Sequence, residues 1–217
     1  MDAILRGRPG WEEAIASVLE TAPRPIDFDQ RFRGRGTIVD RADFPPARPA
    51  STLLLVHPGA EGELVIPLTV RHSELRAHAG EVSLPGGAVD QTDADRAATA
   101  LREAQEEIGL DPTAVRILGT LDDVWIPVSN YELRPFVAAA GARPRLQPQE
   151  REVAAIVELP LRLILDEEIT REEEFSGPGW TLVTGVYRYG GLRIWGATAR
   201  TLAMFAAVLR AGGTVDR

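Results

Sequence analysis

The sequence predicts a fold of the α/β class, more closely α+β, in which a mixed β-sheet is sandwiched between α-helices. Short apolar segments with the composition of strands recur along the chain, and amphipathic segments with helical composition stand among them. The two kinds of segment do not alternate regularly, and there is no internal repeat. The 217 residues suffice for one domain with its own core. We divide them into an N-terminal helix with an arm, residues 1–45, and a main domain, residues 46–217.

The first half of the chain begins with a helix and continues to two strands. Residues 10–21, "GWEEAIASVLET", are amphipathic and predict a short helix. Residues 22–50 are rich in proline and arginine, which predicts an arm without regular structure. Residues 51–57 and 63–71 are largely apolar, and they predict two strands separated by the turn "PGAEG".

The second half contains the segment with the strongest helical composition. From Asp95 to Ile108 the residues predict a helix, and Gly109 supplies its C-terminal stop. The acidic run 166–174 is interpreted as a solvated loop or helix face, and we assign it no function. The remaining predicted elements are three strands, a hairpin turning at two glycines and a closing helix: residues 114–121, 132–140, 152–161, 186–196 and 197–211.

Composition excludes several classes of function. The chain has no cysteine, so thiolate catalysis and zinc–thiolate sites are excluded. All 24 basic residues are arginine, which removes mechanisms based on a lysine nucleophile. The net charge of −8 without a basic cluster argues against a nucleic-acid partner. Neither a signal peptide nor an apolar stretch of membrane-spanning length is found, so we expect a cytoplasmic protein without membrane contact.

Three glutamates stand within five residues in "REAQEEIGL", which begins at Arg102. Glu103, Glu106 and Glu107 fall on one face of a helix, where their charges repel one another. Arg102 is placed to pair with one of them. Carboxylate clusters of this kind suit hard divalent cations, whereas the alternative is an exposed acidic helix face.

The context of these glutamates resembles a known motif. Residues 86–110, "GGAVDQTDADRAATALREAQEEIGL", resemble the Nudix box, and from Arg102 to Leu110 they match it position for position. The first half departs from the pattern, because an aspartate, Asp93, stands where glutamate is usual, and eight residues rather than seven separate it from Arg102. Asp93 and Asp95 are both candidates for the early acidic role.

A second signature lies directly upstream. Residues 68–87, "LTVRHSELRAHAGEVSLPGG", resemble the motif of the coenzyme A diphosphatase branch of the Nudix family. His72 replaces a small residue of that motif, Pro67 a leucine and Leu84 a phenylalanine. The resemblance covers roughly residues 50–210. The positions that fit the motif are Leu68, Thr69, Arg71, Arg76, Gly80, Pro85, Gly86 and Gly87.

The resemblance implies a Nudix fold for the main domain and a reaction. That reaction is metal-dependent hydrolysis of the diphosphate of coenzyme A or its derivatives, giving 4′-phosphopantetheine and 3′-phosphoadenosine 5′-phosphate. It implies Mg²⁺ or Mn²⁺ as the cofactor. The implied metal ligands are Gly87, Glu103, Glu106 and Glu107. The implied catalytic residues are Glu103, Glu106, Glu107 and Glu152, the last from outside the box. The implied substrate-binding residues are Arg71, Arg76, Gly80 and Gly86, and the arginine forks suit phosphate oxygens.

Two other functions stay open at this point. The first keeps the chemistry but changes the substrate to ADP-ribose, NADH, a dinucleoside polyphosphate or a nucleoside triphosphate. The second is a Nudix-fold binding module without turnover. The oligomeric state also stays open, and a homodimer has the N-terminal arm and the closing helix as segments available for its contact.

Overall fold

The computed structural model describes residues 7–37, 40–72, 81–177 and 180–214. The described α-helices are α1 (Trp11–Thr21), α2 (Arg96–Ile108) and α3 (Gly196–Leu209). The first six strands are β1 (Arg35–Gly36), β2 (Arg48–Pro58), β3 (Leu64–Arg71), β4 (Val82–Ser83), β5 (Gly86–Ala88) and β6 (Arg116–Thr120). The other six are β7 (Val124–Ile126), β8 (Tyr131–Ala139), β9 (Val153–Pro160), β10 (Thr170–Gly177), β11 (Trp180–Tyr189) and β12 (Leu192–Ile194).

The main sheet is mixed, as the sequence predicts. Its strands run in the order β4-β3-β2-β8-β6, with β5 paired to β2, β7 to β8 and β9 to β3. The pair β2 and β8 is parallel, from Arg48 opposite Tyr131 to Val56 opposite Ala139, and the other pairs of this sheet are antiparallel. The short strand β7 was not predicted.

The residues of β2 explain why helices cover both faces of this sheet. Side chains of a strand point alternately to opposite faces. Leu54 and Val56 lie in the larger core, together with the buried residues of α1 and α3. Leu53 and Leu55 lie in a second core, together with Ala100, Ala104 and Ile108 of α2. The predicted α+β fold, with helices on both faces of a mixed sheet, is therefore confirmed.

The N-terminal segment packs into the same core. Trp11, Ile15, Val18 and Leu19 of α1 are buried there. The prediction of an arm without regular structure is wrong in part, because the arm contains two 3₁₀ turns and β1, and β2 begins at Arg48. The division at residue 45 stays a prediction.

The interpretation of the run 166–174 as a solvated loop or helix face is wrong for residues 170–174, whereas Glu167–Ile169 form a 3₁₀ turn in which both glutamates are exposed. Thr170–Gly177 form strand β10, which pairs residue by residue with β11. Arginines on neighbouring strands neutralise the glutamates, since Arg35 pairs with Glu172 and Arg188 with Glu173. The predicted hairpin that follows is confirmed, and Gly190 and Gly191 at its turn have φ of 56° and 80°. The second sheet consists of β1, β11, β10 and β12.

Helix α3 lies against the larger core along its whole length. None of its residues from Gly196 to Leu209 is exposed. Little of the closing helix is left exposed for a contact with a second copy, and its part in a dimer stays a prediction. Among the described helices, none is long and apolar enough to cross a membrane.

Candidate active site

Local signals at both ends fix where α2 begins and ends. The Asp95 carboxylate accepts a hydrogen bond of 2.8 Å from the Ala98 N–H and so caps the first turn. At the other end Gly109 adopts φ 64°, and its N–H donates to carbonyls of the last turn. These two ends set the register in which Glu107 is buried, Glu103 is half-buried and Glu106 is exposed.

Pro85 and the adjoining strand β5 lie against β2, close to the same helix. The Pro85 carbonyl accepts hydrogen bonds from the Leu53 N–H (2.9 Å) and the Thr52 hydroxyl (2.7 Å). A Cβ at position 86 would lie 2.5 Å from a backbone oxygen, and a Cβ at position 87 would lie 2.5 Å from the Glu103 carboxylate carbon. Only glycine at positions 86 and 87 allows β5 to approach β2 and α2 this closely.

Glu107 is the most perturbed carboxylate of this region. It is only 8% exposed, and its Oε2 is buried with no hydrogen-bond partner among the described residues. Burial raises the pKa of Glu107 to about 8, and the charges of Glu103 and Glu152 add to the shift. The Arg71 charge and the Gly86 N–H oppose it. A cation bound to this carboxylate would offset the free-energy cost of burying its charge and the repulsion from the neighbouring glutamates.

Arg102 organises the other two glutamates. Its guanidinium donates to Glu103 at 2.8 Å and to Glu106 at 3.3 Å, and it reaches the Ala88 carbonyl at 3.1 Å. The Glu103 side chain is 16% exposed, and burial raises its pKa against the pull of Arg102. The Glu106 side chain is 59% exposed. Glu103 and Glu107 therefore converge, whereas Glu106 lies at the solvent edge.

The two candidates for the early acidic role have separate tasks. The Asp93 side chain is 4% exposed and accepts two hydrogen bonds from Arg102, at 2.9 and 3.1 Å. The Thr99 hydroxyl and the Asp90 N–H also donate to it. The hydrogen bonds from Arg102 hold the pKa of the Asp93 carboxyl well below its usual range. Asp93 thus anchors Arg102, and Asp95 caps α2.

Arg71 and Glu152 reach the glutamates from the main sheet. Arg71 ends β3, and its register partner on β9 is Val153, which directly follows Glu152. The charges of both residues act on the pKa of Glu107. The Arg71 Nε is buried and has no hydrogen-bond partner among the described residues. Glu152 is exposed, so its carboxylate is open to water.

The residues present fit a hard divalent cation in their chemistry. Their donors are carboxylate oxygens, and one of these is buried without a partner. No group of three carboxylates or histidines within the described ranges is already arranged around one point. Glu103 and Glu107 supply the convergent pair, the Gly87 backbone lies against Glu103, and Glu106 is paired with Arg102.

Some of the predicted site residues lie near one another in the structure, and their roles stay predictions. The structure brings together Arg71, Gly86, Glu103, Glu107 and Glu152. Arg76 and Gly80 lie in 73–80, outside the described residues. The hydrogen bonds by which Asp93 anchors Arg102 were not predicted from the sequence. The signal in the sequence was that Asp93 stands nine residues before Arg102. That spacing alone does not indicate a contact.

Comparison with known proteins assigns the family. A model of the NUDIX domain matches residues 48–175, more than half of the chain. The chain therefore belongs to the Nudix family. It is 38% identical to the Nudix hydrolase 22, chloroplastic, of Arabidopsis thaliana over 168 residues, which are 74% of this chain and 55% of that protein. It is also 38% identical to the Nudix hydrolase 15, mitochondrial, of the same plant, over 76% of this chain and 59% of that protein.

Bacterial relatives and a solved structure complete the comparison. An uncharacterized Nudix hydrolase of Pectobacterium atrosepticum, NudL, is 47% identical over 94 residues, 43% of this chain and 48% of that protein. The Nudix hydrolase RenU from M. smegmatis is 19% identical, with a TM-score of 0.48, and covers 80% of this chain and 91% of that one. The chain spans just over half the length of the plant relatives.

Proposed function

We propose that this chain is a metal-dependent hydrolase that cleaves the diphosphate of coenzyme A or its derivatives. The observation that carries the proposal is the Glu107 carboxylate, buried with an unpartnered oxygen and facing the charges of Glu103 and Glu152. Such an arrangement costs stability unless a cation binds to it. The names of the plant relatives, Nudix hydrolases, support hydrolysis as the reaction class.

The metal ligands in this proposal are Glu103, Glu106, Glu107 and the backbone of Gly87. A bound Mg²⁺ or Mn²⁺ would neutralise diphosphate charge and lower the pKa of bound water. Arg102 holds Glu103 in place, and Asp93 holds Arg102. Glu107 is itself buried, and the Arg71 charge and the Gly86 N–H act on its carboxylate.

Glu152 is our candidate for the general base, with Glu103 as the alternative. Glu152 is exposed and close enough to Glu107 to shift its pKa, so it can accept a proton from water at the edge of the cluster. Glu103 already accepts a hydrogen bond from Arg102, which engages one of its two carboxylate oxygens.

Coenzyme A as the substrate rests on residues 68–87. Arg71 is placed beside the cluster, and its guanidinium fork suits a phosphate oxygen pair. Arg76, Gly80 and Gly86 are the further residues proposed to bind substrate. Addition of water across the diphosphate would give 4′-phosphopantetheine and 3′-phosphoadenosine 5′-phosphate, with one oxygen of the new phosphate coming from water.

Another diphosphate compound is the second candidate substrate, since His72 and Leu84 depart from the coenzyme A motif. ADP-ribose, NADH, dinucleoside polyphosphates and nucleoside triphosphates are the compounds to compare. A binding module without turnover fits less well, because such a module has no reason to bury a repelling carboxylate pair. A cytoplasmic location and a homodimer formed through the N-terminal arm are also part of the proposal.

An assay of the purified chain tests the substrate directly. Coenzyme A and the compounds named above are each incubated with Mg²⁺ or Mn²⁺, and products are identified by mass spectrometry. Fastest cleavage of coenzyme A supports the proposal. Strong preference for another compound supports the second candidate. Tight binding without cleavage of any compound overturns both in favour of a binding module.

A further inference from the structure

The turn that carries Glu152 is held from both sides. It spans residues 149–152 and precedes β9, and it lies beside the end of β3. The side chain of Glu152 is exposed, so its own contacts do not fix it. Its position must come from the backbone of the turn.

The first anchor of the turn is α2. The Gln149 N–H donates to the Glu107 carbonyl at 2.9 Å, which satisfies one of the free carbonyls at the end of the helix. The Gln149 carbonyl accepts from the Glu152 N–H at 3.0 Å, and its side-chain oxygen accepts from the Arg151 N–H at 2.5 Å. Gln149 thus closes the turn and ties it to the residue whose carboxylate lies in the site.

The second anchor is His72, the first residue after β3. Its backbone N–H donates to the Glu152 carbonyl at 3.3 Å. Its ring Nε2 lies 2.9 Å from the Glu150 carbonyl oxygen. Because a carbonyl oxygen only accepts, Nε2 must be the protonated donor. The His72 ring therefore holds the turn at Glu150, and the His72 backbone N–H holds it at Glu152.

A small residue at position 72, as the motif of residues 68–87 usually has, would keep only one of these bonds. Serine or alanine retains the backbone N–H that binds the Glu152 carbonyl, but neither reaches the Glu150 carbonyl. Glutamine differs, since its side-chain N–H₂ extends about as far from Cβ as Nε2 of histidine and can donate to the same oxygen. Comparing serine and glutamine at position 72 therefore isolates the effect of the side-chain hydrogen bond to the Glu150 carbonyl from that of the backbone hydrogen bond.

We propose that His72 is a positioning residue that locks the 149–152 turn and so holds Glu152 opposite Glu107. The inference rests on the proposed function for its purpose, because a general base must be held in place to be effective. It does not rest on that function for its geometry. His72 does not touch substrate or water in this role and acts only through Glu152.

Hydrogen exchange in the metal-free full chain tests the geometry without any activity. We compare the wild type, His72→Ser and His72→Gln for exchange at the Glu152 and Val153 amides, which both donate to the Gln149 carbonyl. Exchange is expected to be about tenfold faster in His72→Ser, the effect of losing one hydrogen bond, and close to wild type in His72→Gln. Equal exchange in all three proteins would overturn the lock.

A double-mutant cycle on the hydrolysis tests the purpose. His72→Ser should lower kcat about tenfold with KM changed less than about twofold, and His72→Gln should restore it. In the Glu152→Gln background the same substitution should cost less than about twofold, because the group it positions is gone. Equal losses in both backgrounds, or no rescue by glutamine, would contradict positioning through Glu152.

The two tests fail separately. If the wild type cleaves no diphosphate compound while exchange at the turn changes as expected, the proposed function falls and the lock is supported. If hydrolysis is normal and exchange is unchanged in His72→Ser, the proposed function stands and the lock is wrong.

Discussion

Two regions of this protein are rich in glutamate, and they differ in how the charges are compensated. On β10, Glu172 pairs with Arg35, and Glu173, 14% exposed, binds Arg188 and Arg193 at 2.5 Å each. On α2, Glu107 is 8% exposed and one of its oxygens has no partner within the described residues. Both regions look alike in composition, yet only α2 has a buried carboxylate that its surroundings do not satisfy.

Burial of a carboxylate beside other carboxylates, rather than the number of acids, therefore distinguishes the candidate site from β10. Glutamates on a strand that is paired on one side discourage association between sheet edges, and their arginines remove the repulsion. Burying a carboxylate beside another one has no such structural benefit. A bound cation would offset the free-energy cost of this burial. Matched substitutions on α2 and β10 test this difference.

The largest effect is expected from Glu107→Gln. Gln keeps the shape of the side chain but removes a metal-binding charge, so kcat/KM should fall at least about 1,000-fold, or about 4 kcal/mol of transition-state stabilisation. Glu106→Gln should also lose nearly all activity, and circular dichroism should show that both proteins remain folded. The matched control is Glu174→Gln on β10, which is exposed and should change activity less than about twofold. Near-normal turnover of either α2 variant at saturating Mg²⁺ would disprove its assignment as a metal ligand.

A smaller loss is expected from Arg102→Lys. A lysine keeps the charge but cannot bridge Asp93, Glu103 and the Ala88 carbonyl together, so kcat should fall about 10- to 100-fold. Steady-state kinetics with the Mg²⁺ concentration varied would measure it. The control is Arg188→Lys, which alters the corresponding bridge to Glu173 and should leave kcat unchanged. Equal kinetics in the two variants would mean that Arg102 does not organise the site.

Glu173→Gln should affect stability and not activity. Its carboxylate is largely buried between two arginines, so its loss should lower the free energy of unfolding by about 1 kcal/mol. Urea unfolding of the variant and the wild type measures the difference. A loss of activity without a change in stability would show that β10 takes part in the reaction.

The smallest effect concerns the pH dependence of the Glu172–Arg35 pair. The hydrogen bond from Arg35 holds the pKa of Glu172 below its ordinary value of 4.5. The folded state therefore binds this proton less readily than the unfolded chain, and the pair stabilises the fold above about pH 4.5. Its contribution should disappear as the pH falls through the lowered folded pKa. Thermal unfolding of Glu172→Gln and the wild type should differ near pH 7 and converge near pH 3, and a constant difference would contradict the pairing.

Local signals predicted α2 well, and long-range contacts account for what was missed. Asp95 and Gly109 mark the two ends of the helix within its own sequence, and the consecutive apolar residues of β2 indicate burial on both faces. The signal in β2 is its continuous apolar run, residues 53–56, and strand β10 has no such run, since its three consecutive glutamates have low strand propensity. Its arginine partners on β1, β11 and β12 are distant or unmarked in sequence.

The site divides in the same way. The convergence of Glu103 and Glu107 follows from helical spacing and was predicted. The solvent-edge position of Glu106 follows from its pairing with Arg102, which depends on how far the guanidinium is drawn toward Asp93. The contact between His72 and the 149–152 turn needs a register between β3 and β9, which no local pattern supplies.

Calorimetric titration of the metal-free chain with Mn²⁺ tests the central claim most directly, since it asks whether the buried α2 carboxylates hold a cation. The wild type and Glu174→Gln should bind Mn²⁺ with the same Kd, and Glu107→Gln should bind it at least about tenfold more weakly. Equal affinity in all three proteins would contradict the assignment of the site to α2.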